Sequence, residues 1–285
     1  MIKIVQFLLI AGVLSVNTAG FATEKSQANT NTSTAPATQP EKVSPEVDSI
    51  LQQLEEQGEK VNSIESNILY MKKDLALESV QKYGGILRFK KTEPNPRFFI
   101  RFDRFQHDAL ESDLKKWHVF DGRWYIEASE RTRQIVKREV VPPGEKSEAF
   151  RIGHGPFPLP FGQKKKDILR HFSVELVAPE QDKLKNVDHL KLTPRDGTEM
   201  AKRYEAVHFY IDRKLNLPVR VHTVDKEELT EITAIFPRKS IQINPDMTQE
   251  ELELPEKKLV DRGFSIKQHY LSDAEKGGQA EIGLP

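Results

Sequence analysis

The chain has 285 residues, with 43 basic and 43 acidic side chains, eight histidines and no cysteine. Balanced charge excludes long-range attraction to nucleic acid or to an anionic membrane, so no nucleic-acid partner is expected. The missing thiols exclude disulfides, thiolate metal sites, cysteine nucleophiles and a lipid-attachment cysteine, which leaves stability to an apolar core.

Met1-Ile2-Lys3 leads into an apolar run over residues 4–16, which closes on Gly20-Phe21-Ala22. A charged start, a short apolar stretch and a small-x-small exit form the pattern of a secretory signal peptide, residues 1–22, cleaved after Ala22. The run is shorter than the about 20 apolar residues that cross a bilayer, and an uncleaved anchor is the alternative. Residues 23–43 are almost wholly Ser, Thr, Asn, Gln, Ala and Pro, the composition of a disordered tether.

Ser44-Pro45-Glu46 supplies an N-cap, a first-turn proline and a first-turn acid. Val47, Ile50, Leu51 and Leu54 follow at helical spacing and Gly58 offers an exit, which predicts one amphipathic helix. From there to about residue 245 the period is two, that of half-buried strands. Phe98, Ile100 and Phe102 share a face against Arg101 and Asp103, and Val207, Phe209 and Ile211 alternate with His208, Tyr210 and Asp212. Leu87 with Phe89, Val219 with Val221, and Ile232, Ala234 and Phe236 continue the pattern. Asp121-Gly122 between two apolar runs predicts a tight hairpin, with further turns at Asp196-Gly197 and at Asn216-Leu217-Pro218. Strands joined this locally predict an antiparallel meander with one apolar face and one wet face.

Two segments break the meander. Residues 150–161 combine apolar bulk with Pro156, Pro158 and Pro160, which excludes a regular helix or a central strand. A short amphipathic helix is predicted over residues 164–172, and together the two segments either cover the apolar face or simply complete the core. Beyond Pro255 the chain reads as a charged tail, residues 256–285, in which Leu259, Phe264, Ile266, Tyr270 and Leu271 allow a late strand.

No pattern points to catalysis or to a metal. The histidines contain no i, i+4 pair of the zinc-helix kind, and His208 and His222 fall on predicted wet faces as ordinary surface residues. No nucleophile elbow or phosphate loop is present, and Glu55-Glu56 and Glu250-Glu251 read as solvated charge. No catalytic residue, cofactor or metal ligand is therefore expected.

The order of motifs over residues 45–245 resembles the periplasmic outer-membrane lipoprotein carriers, the LolA-like proteins. The motifs are the opening helix ending near Val61-Asn62-Ser63-Ile64, the strand Gly84-Gly85-Ile86-Leu87-Arg88-Phe89-Lys90-Lys91, and Pro94-Asn95-Pro96-Arg97-Phe98-Phe99-Ile100. The Asp121-Gly122 hairpin with Trp124-Tyr125, the Pro-Phe stretch over residues 156–161, Leu190-Lys191-Leu192-Thr193-Pro194 and the paired strands near Asp212 and Leu217 follow in sequence. The resemblance implies a mainly β domain with a few α-helices, an unclosed antiparallel β-barrel over residues 44–255 with helices on its concave face. It also implies a periplasmic protein whose apolar groove sequesters the acyl chains of a lipoprotein or another lipid cargo. Its partners would be an inner-membrane release complex and an outer-membrane acceptor.

Alternation nominates Leu87, Phe89, Phe98, Ile100, Phe102 and Trp124 as groove residues, and the proline-spaced run nominates Phe157, Leu159 and Phe161 as its cover. The family's lid-tethering arginine is absent. Lys90-Lys91 stands in its place with Thr92-Glu93 ahead of Pro94, which makes Lys91 the lid-tether candidate, without the planar fork of a guanidinium. Extra residues over 106–115, 142–147 and 179–188 leave room for a changed cargo. The competing expectation is an envelope lipid-sensing adaptor built on the same half-barrel.

Overall fold

The computed structural model describes residues 43–146, 161–178, 184–226 and 229–271. The signal-peptide and tether expectations, and Phe157 and Leu159, lie outside these residues.

Helix gives way to sheet where the hydrophobic period changes. In α1 (Pro45–Lys60) the Ser44 hydroxyl accepts the Val47 N–H at 3.3 Å, and Glu46 and Asp48 place acid in the first turn. Val47, Ile50, Leu51 and Leu54 are buried along one stripe, as their spacing requires.

The strands follow as β1 (Ser63–Asp74), β2 (Val80–Lys90), β3 (Arg97–His107), β4 (Leu110–Phe120), β5 (Trp124–Ser129) and β6 (Gln134–Glu139). After α2 (Lys165–His171) come β7 (Phe172–Val177), β8 (Val187–Pro194), the short α3 (Glu199–Arg203), β9 (Tyr204–Asp212), β10 (Leu217–Asp225) and β11 (Thr230–Ile235). The chain ends its described course with β12 (Gln242–Ile243), α4 (Glu256–Asp261) and β13 (Ser265–His269). The thirteen strands of the described residues belong to one sheet, in the order β13-β6-β5-β4-β3-β2-β1-β11-β10-β9-β8-β7, with β12 paired to the start of β1. The edge strands β13 and β7 do not meet, so the sheet is an open half-barrel with helices on its inner face.

Local chemistry sets the bends. At the β4–β5 hairpin the Asp121 carboxylate accepts the Arg123 and Trp124 N–H groups at 2.9 and 2.8 Å, and Gly122 sits at φ 103°, which suits a residue without Cβ. At Gly85 a Cβ would lie 1.9 Å from the Arg101 carbonyl oxygen, beside register shifts in the β2–β3 and β3–β4 ladders. Glycine there permits the bulge that curves the sheet.

The inner face carries two apolar groups. One joins Ile64, Ile68 and Tyr70 of β1 to the β2–β5 side chains, Phe161 and Phe236. In the other, α1 and α2 pack on Leu190, Leu192, Val207, Phe209 and Val221 of β8–β10.

The outer face corrects two expectations. Over β3–β6 it is not wet: Phe99, Trp117, Val119, Ile126 and Ile135 are buried beneath Met247, Leu252, Leu254, Leu259 and Phe264. Nor is the sheet wholly antiparallel, because β13 pairs with β6 in parallel. A parallel neighbour needs a crossover, and the covering segment from Met247 to Phe264 provides it before the chain reaches the sheet edge. Residues 256–271, expected at the start of a charged tail, thus form α4 and β13 and contribute Leu259 and Phe264 to a buried cluster.

Candidate functional site

The inner face of β1–β5 is built by strand pairing. Leu87 lies opposite Ile100 and Phe89 opposite Phe98, while Phe98 faces Phe120 and Ile100 faces His118 across the next ladder. Period two then places Phe102 on the same face. Leu87, Phe89, Phe98, Ile100, Phe102 and Phe161 are all in one cluster, none more than 4 % exposed. Phe161 closes this cluster and its ring centroid lies 5.4 Å from that of Phe236.

Trp124 is not among them. The tight turn sets Tyr125, not Trp124, opposite Phe120, so Tyr125 points inward and Trp124 outward. There Trp124 is half-buried, edge-on to Tyr270 at 5.2 Å and beneath the Arg123 guanidinium at 5.3 Å.

Lys91 fastens a helix. Its ammonium donates to the Gly58 and Glu59 carbonyls at 2.6 and 3.2 Å, satisfying C-terminal acceptors of α1 that the helix itself leaves open. Burial lowers the Lys91 pKa from its ordinary value, with Glu59 opposing. The same end of α1 meets the chain leading to α2, where a Cβ on Gly58 would lie 3.3 Å from Gly162 Cα. Lys165 adds an ion pair to Asp48 at 2.7 Å.

Sequence reasoning passed over a polar inlay in this apolar face. His118 is fully buried, its Nδ1 2.8 Å from the Tyr125 hydroxyl and 3.8 Å from a Glu127 oxygen, while Arg138 pairs with Glu127. Burial, and then the charge of Lys116, hold the His118 pKa well below its usual value, so the imidazole is neutral. Tyr125 is pushed well above the phenol range by burial first and then by Glu127 and Tyr70, with Arg138 opposing. Tyr83 is raised by burial against the pull of Arg131. The signal was readable, since His118 lies two residues before Phe120 and so shares its face.

Beyond Tyr83 and Phe105, whose rings lie 4.8 Å apart, the inner face opens into a cavity of about 550 Å³. Lys116, Glu127, Arg131 and His107 line it with those two rings.

On the outer face His189, His208 and His222 stand in a row across β8, β9 and β10. His189 Nε2 is 2.9 Å from His208 Nδ1, the His208 and His222 rings are 5.6 Å apart, and His222 Nδ1 is 3.0 Å from the Thr233 hydroxyl. All three are half-buried, and His208 and His222, expected as ordinary surface residues, thus lie on the expected face but partly sheltered. Among the described residues no group of three or more His, Asp or Glu side chains is placed to hold a metal ion.

No protein-family model and no curated protein matches the chain. Solved structures similar in fold include an uncharacterised conserved protein from Thermus thermophilus, at 10 % identity and TM-score 0.44 over 79 % of this chain and 99 % of that one. The Pseudomonas aeruginosa MucA/MucB complex matches at 14 % identity and TM-score 0.39, covering 74 % of this chain and 62 % of that one. A LolA superfamily protein from Nitrosomonas europaea matches at 11 % identity and TM-score 0.35, over 73 % of this chain and 97 % of that one. Likeness at these scores carries no argument about what the chain binds or does.

Proposed function

We propose that this protein is a periplasmic, non-catalytic carrier that sequesters the acyl chains of lipoproteins, or of another amphiphile, and passes them towards the outer membrane. The observation that supports the reading is the apolar surface of Leu87, Phe89, Phe98, Ile100 and Phe102 on one face of an unclosed sheet, with Phe161 packed against it. Each buried CH₂ contributes about 0.8 kcal/mol, so holding an acyl chain needs no covalent chemistry. It needs a removable cover. In this reading the chain enters as Phe161 leaves Phe236, and a release complex at the inner membrane and an acceptor at the outer membrane supply and receive the cargo.

The test is binding of a fluorescent acyl ligand to the wild type and to Ile100→Glu, Phe102→Glu and Phe161→Ala. A buried, unpaired carboxylate is costly, so the two Glu variants are expected to lose binding, while Phe161→Ala keeps the face apolar and alters the rate of entry. Thermal melting identifies variants that stay folded, and folded Glu variants that bind as well as wild type would sink the reading.

The second reading is a lipid-sensing adaptor. It is favoured by β13, an edge strand whose five residues are all exposed and available to a membrane partner. Transfer of the acyl ligand from loaded protein to acceptor vesicles is expected of a carrier and not of a sensor.

A further inference from the structure

We infer that the cavity beyond Tyr83 and Phe105 is a subsite for an anionic head group, a phosphate or carboxylate carried by the amphiphile whose chains lie on the inner face. The inference rests on the acyl-chain reading above and adds the chemical class of the cargo.

Continuity supplies the first support. The Tyr83 ring lies 5.4 Å from Phe102, a member of the apolar surface, and 4.8 Å from Phe105 at the cavity wall. A single molecule can thus rest its chain along Phe102 and Ile100 and extend its head into the cavity.

Charge supplies the second. Lys116 and Arg131 both line the cavity, and among the described residues neither forms an ion pair. The one carboxylate in the lining, Glu127, is already engaged by Arg138. Two cations therefore face a space whose one lining carboxylate is already engaged. The Lys116 ammonium stands 5.9 Å from the centre of the Tyr83 ring, at the junction of chain and head. Burial lowers its pKa despite Glu127, with Lys72 adding to the shift, which is the behaviour of a cation short of counter-charge. Ser129, Thr132 and Gln134 complete the wall with neutral hydrogen-bonding groups that suit phosphate or carboxylate oxygens.

The test compares dodecyl phosphate, dodecanol and inorganic phosphate as competitors for a fluorescent acyl probe on the full chain. A charged hydrogen-bonding pair predicts that dodecyl phosphate binds about tenfold more tightly than dodecanol. Lys116→Gln and Arg131→Gln should each erode that advantage and leave dodecanol affinity unchanged, while Lys116→Arg should retain it. Melting temperatures confirm folding. Equal affinity for the two dodecyl compounds in the wild type, or equal loss of both in the variants, would overturn the head-group assignment while dodecanol binding leaves the groove standing. Inorganic phosphate binding as tightly as dodecyl phosphate would overturn it in favour of a free-anion site. Failure of both dodecyl compounds to bind the wild type would remove the groove reading and this inference with it.

Discussion

The outer face of the sheet has two unlike halves. Over β3–β6, Phe99, Trp117, Val119 and Ile126 are buried beneath Leu252, Leu254, Leu259 and Phe264, so these side chains are shielded from water on the outer side as well. Over β8–β10 the same face carries the half-buried row His189, His208 and His222, with a small apolar patch of Val187, Tyr210 and Val219 beside it. The difference teaches that the first half is held by chain arriving from far along the sequence. The second is held by its own ladder and by α1 on its inner side.

The largest expected effect breaks the first half. Phe264→Ala should cost about 3–5 kcal/mol and Leu252→Ala about 2–5 kcal/mol in urea unfolding, because each leaves a cavity in a closed layer. Losses under about 0.5 kcal/mol, the range of ordinary surface substitutions, would mean that the covering segment is not an integral layer.

The second effect belongs to the histidine row and sharpens the contrast through pH. Burial lowers the His222 pKa below its ordinary 6.5, with Glu231 opposing and Arg220 and His189 adding to the shift. Below pH 6.5 the unfolded chain therefore binds a proton that the folded chain resists, so stability present above pH 6.5 is lost as pH falls towards the folded-state pKa. His222→Gln should flatten this decline below pH 6.5 without abolishing it, since the buried His118 contributes with the same sign. An unchanged slope of melting temperature against pH would show that the row is not acid-sensitive.

The smallest effect concerns the clasp at the margin of the covered half. Lys137 of β6 pairs with Glu256 of α4 at 3.0 Å. A double-mutant cycle with Lys137→Ala and Glu256→Ala should give a coupling of about 0.2–1 kcal/mol that shrinks with added salt. A larger coupling would mean that charge, rather than Leu259 and Phe264, secures the cover.

Much of the inner face was legible because its signals are local. Ser44-Pro45, the helical stripe, Asp121-Gly122 and the alternation through Phe98, Ile100 and Phe102 all act within a few residues of themselves. The outer face was not, because Phe98-Phe99-Ile100 and Trp117-His118-Val119-Phe120 are apolar in both phases and period two alone selects one of them. Trp124-Tyr125-Ile126 has the same ambiguity, and only the pairing of Tyr125 with Phe120 decides which ring turns inward. The cover over Val119 comes from Leu252 and Phe264, a separation that no local pattern encodes.

That covering layer also has a consequence in time. A chain is made from its N-terminus, so Phe99, Trp117, Val119 and Ile126 emerge well before the residues that shelter them. The last described stretch is then a timer for completion: until Leu259 and Phe264 arrive, a partly made molecule displays an aromatic surface of the kind that chaperones hold and proteases search. A chain cut short after β11 would keep every strand of the path except β13 and still be treated by the cell as unfinished.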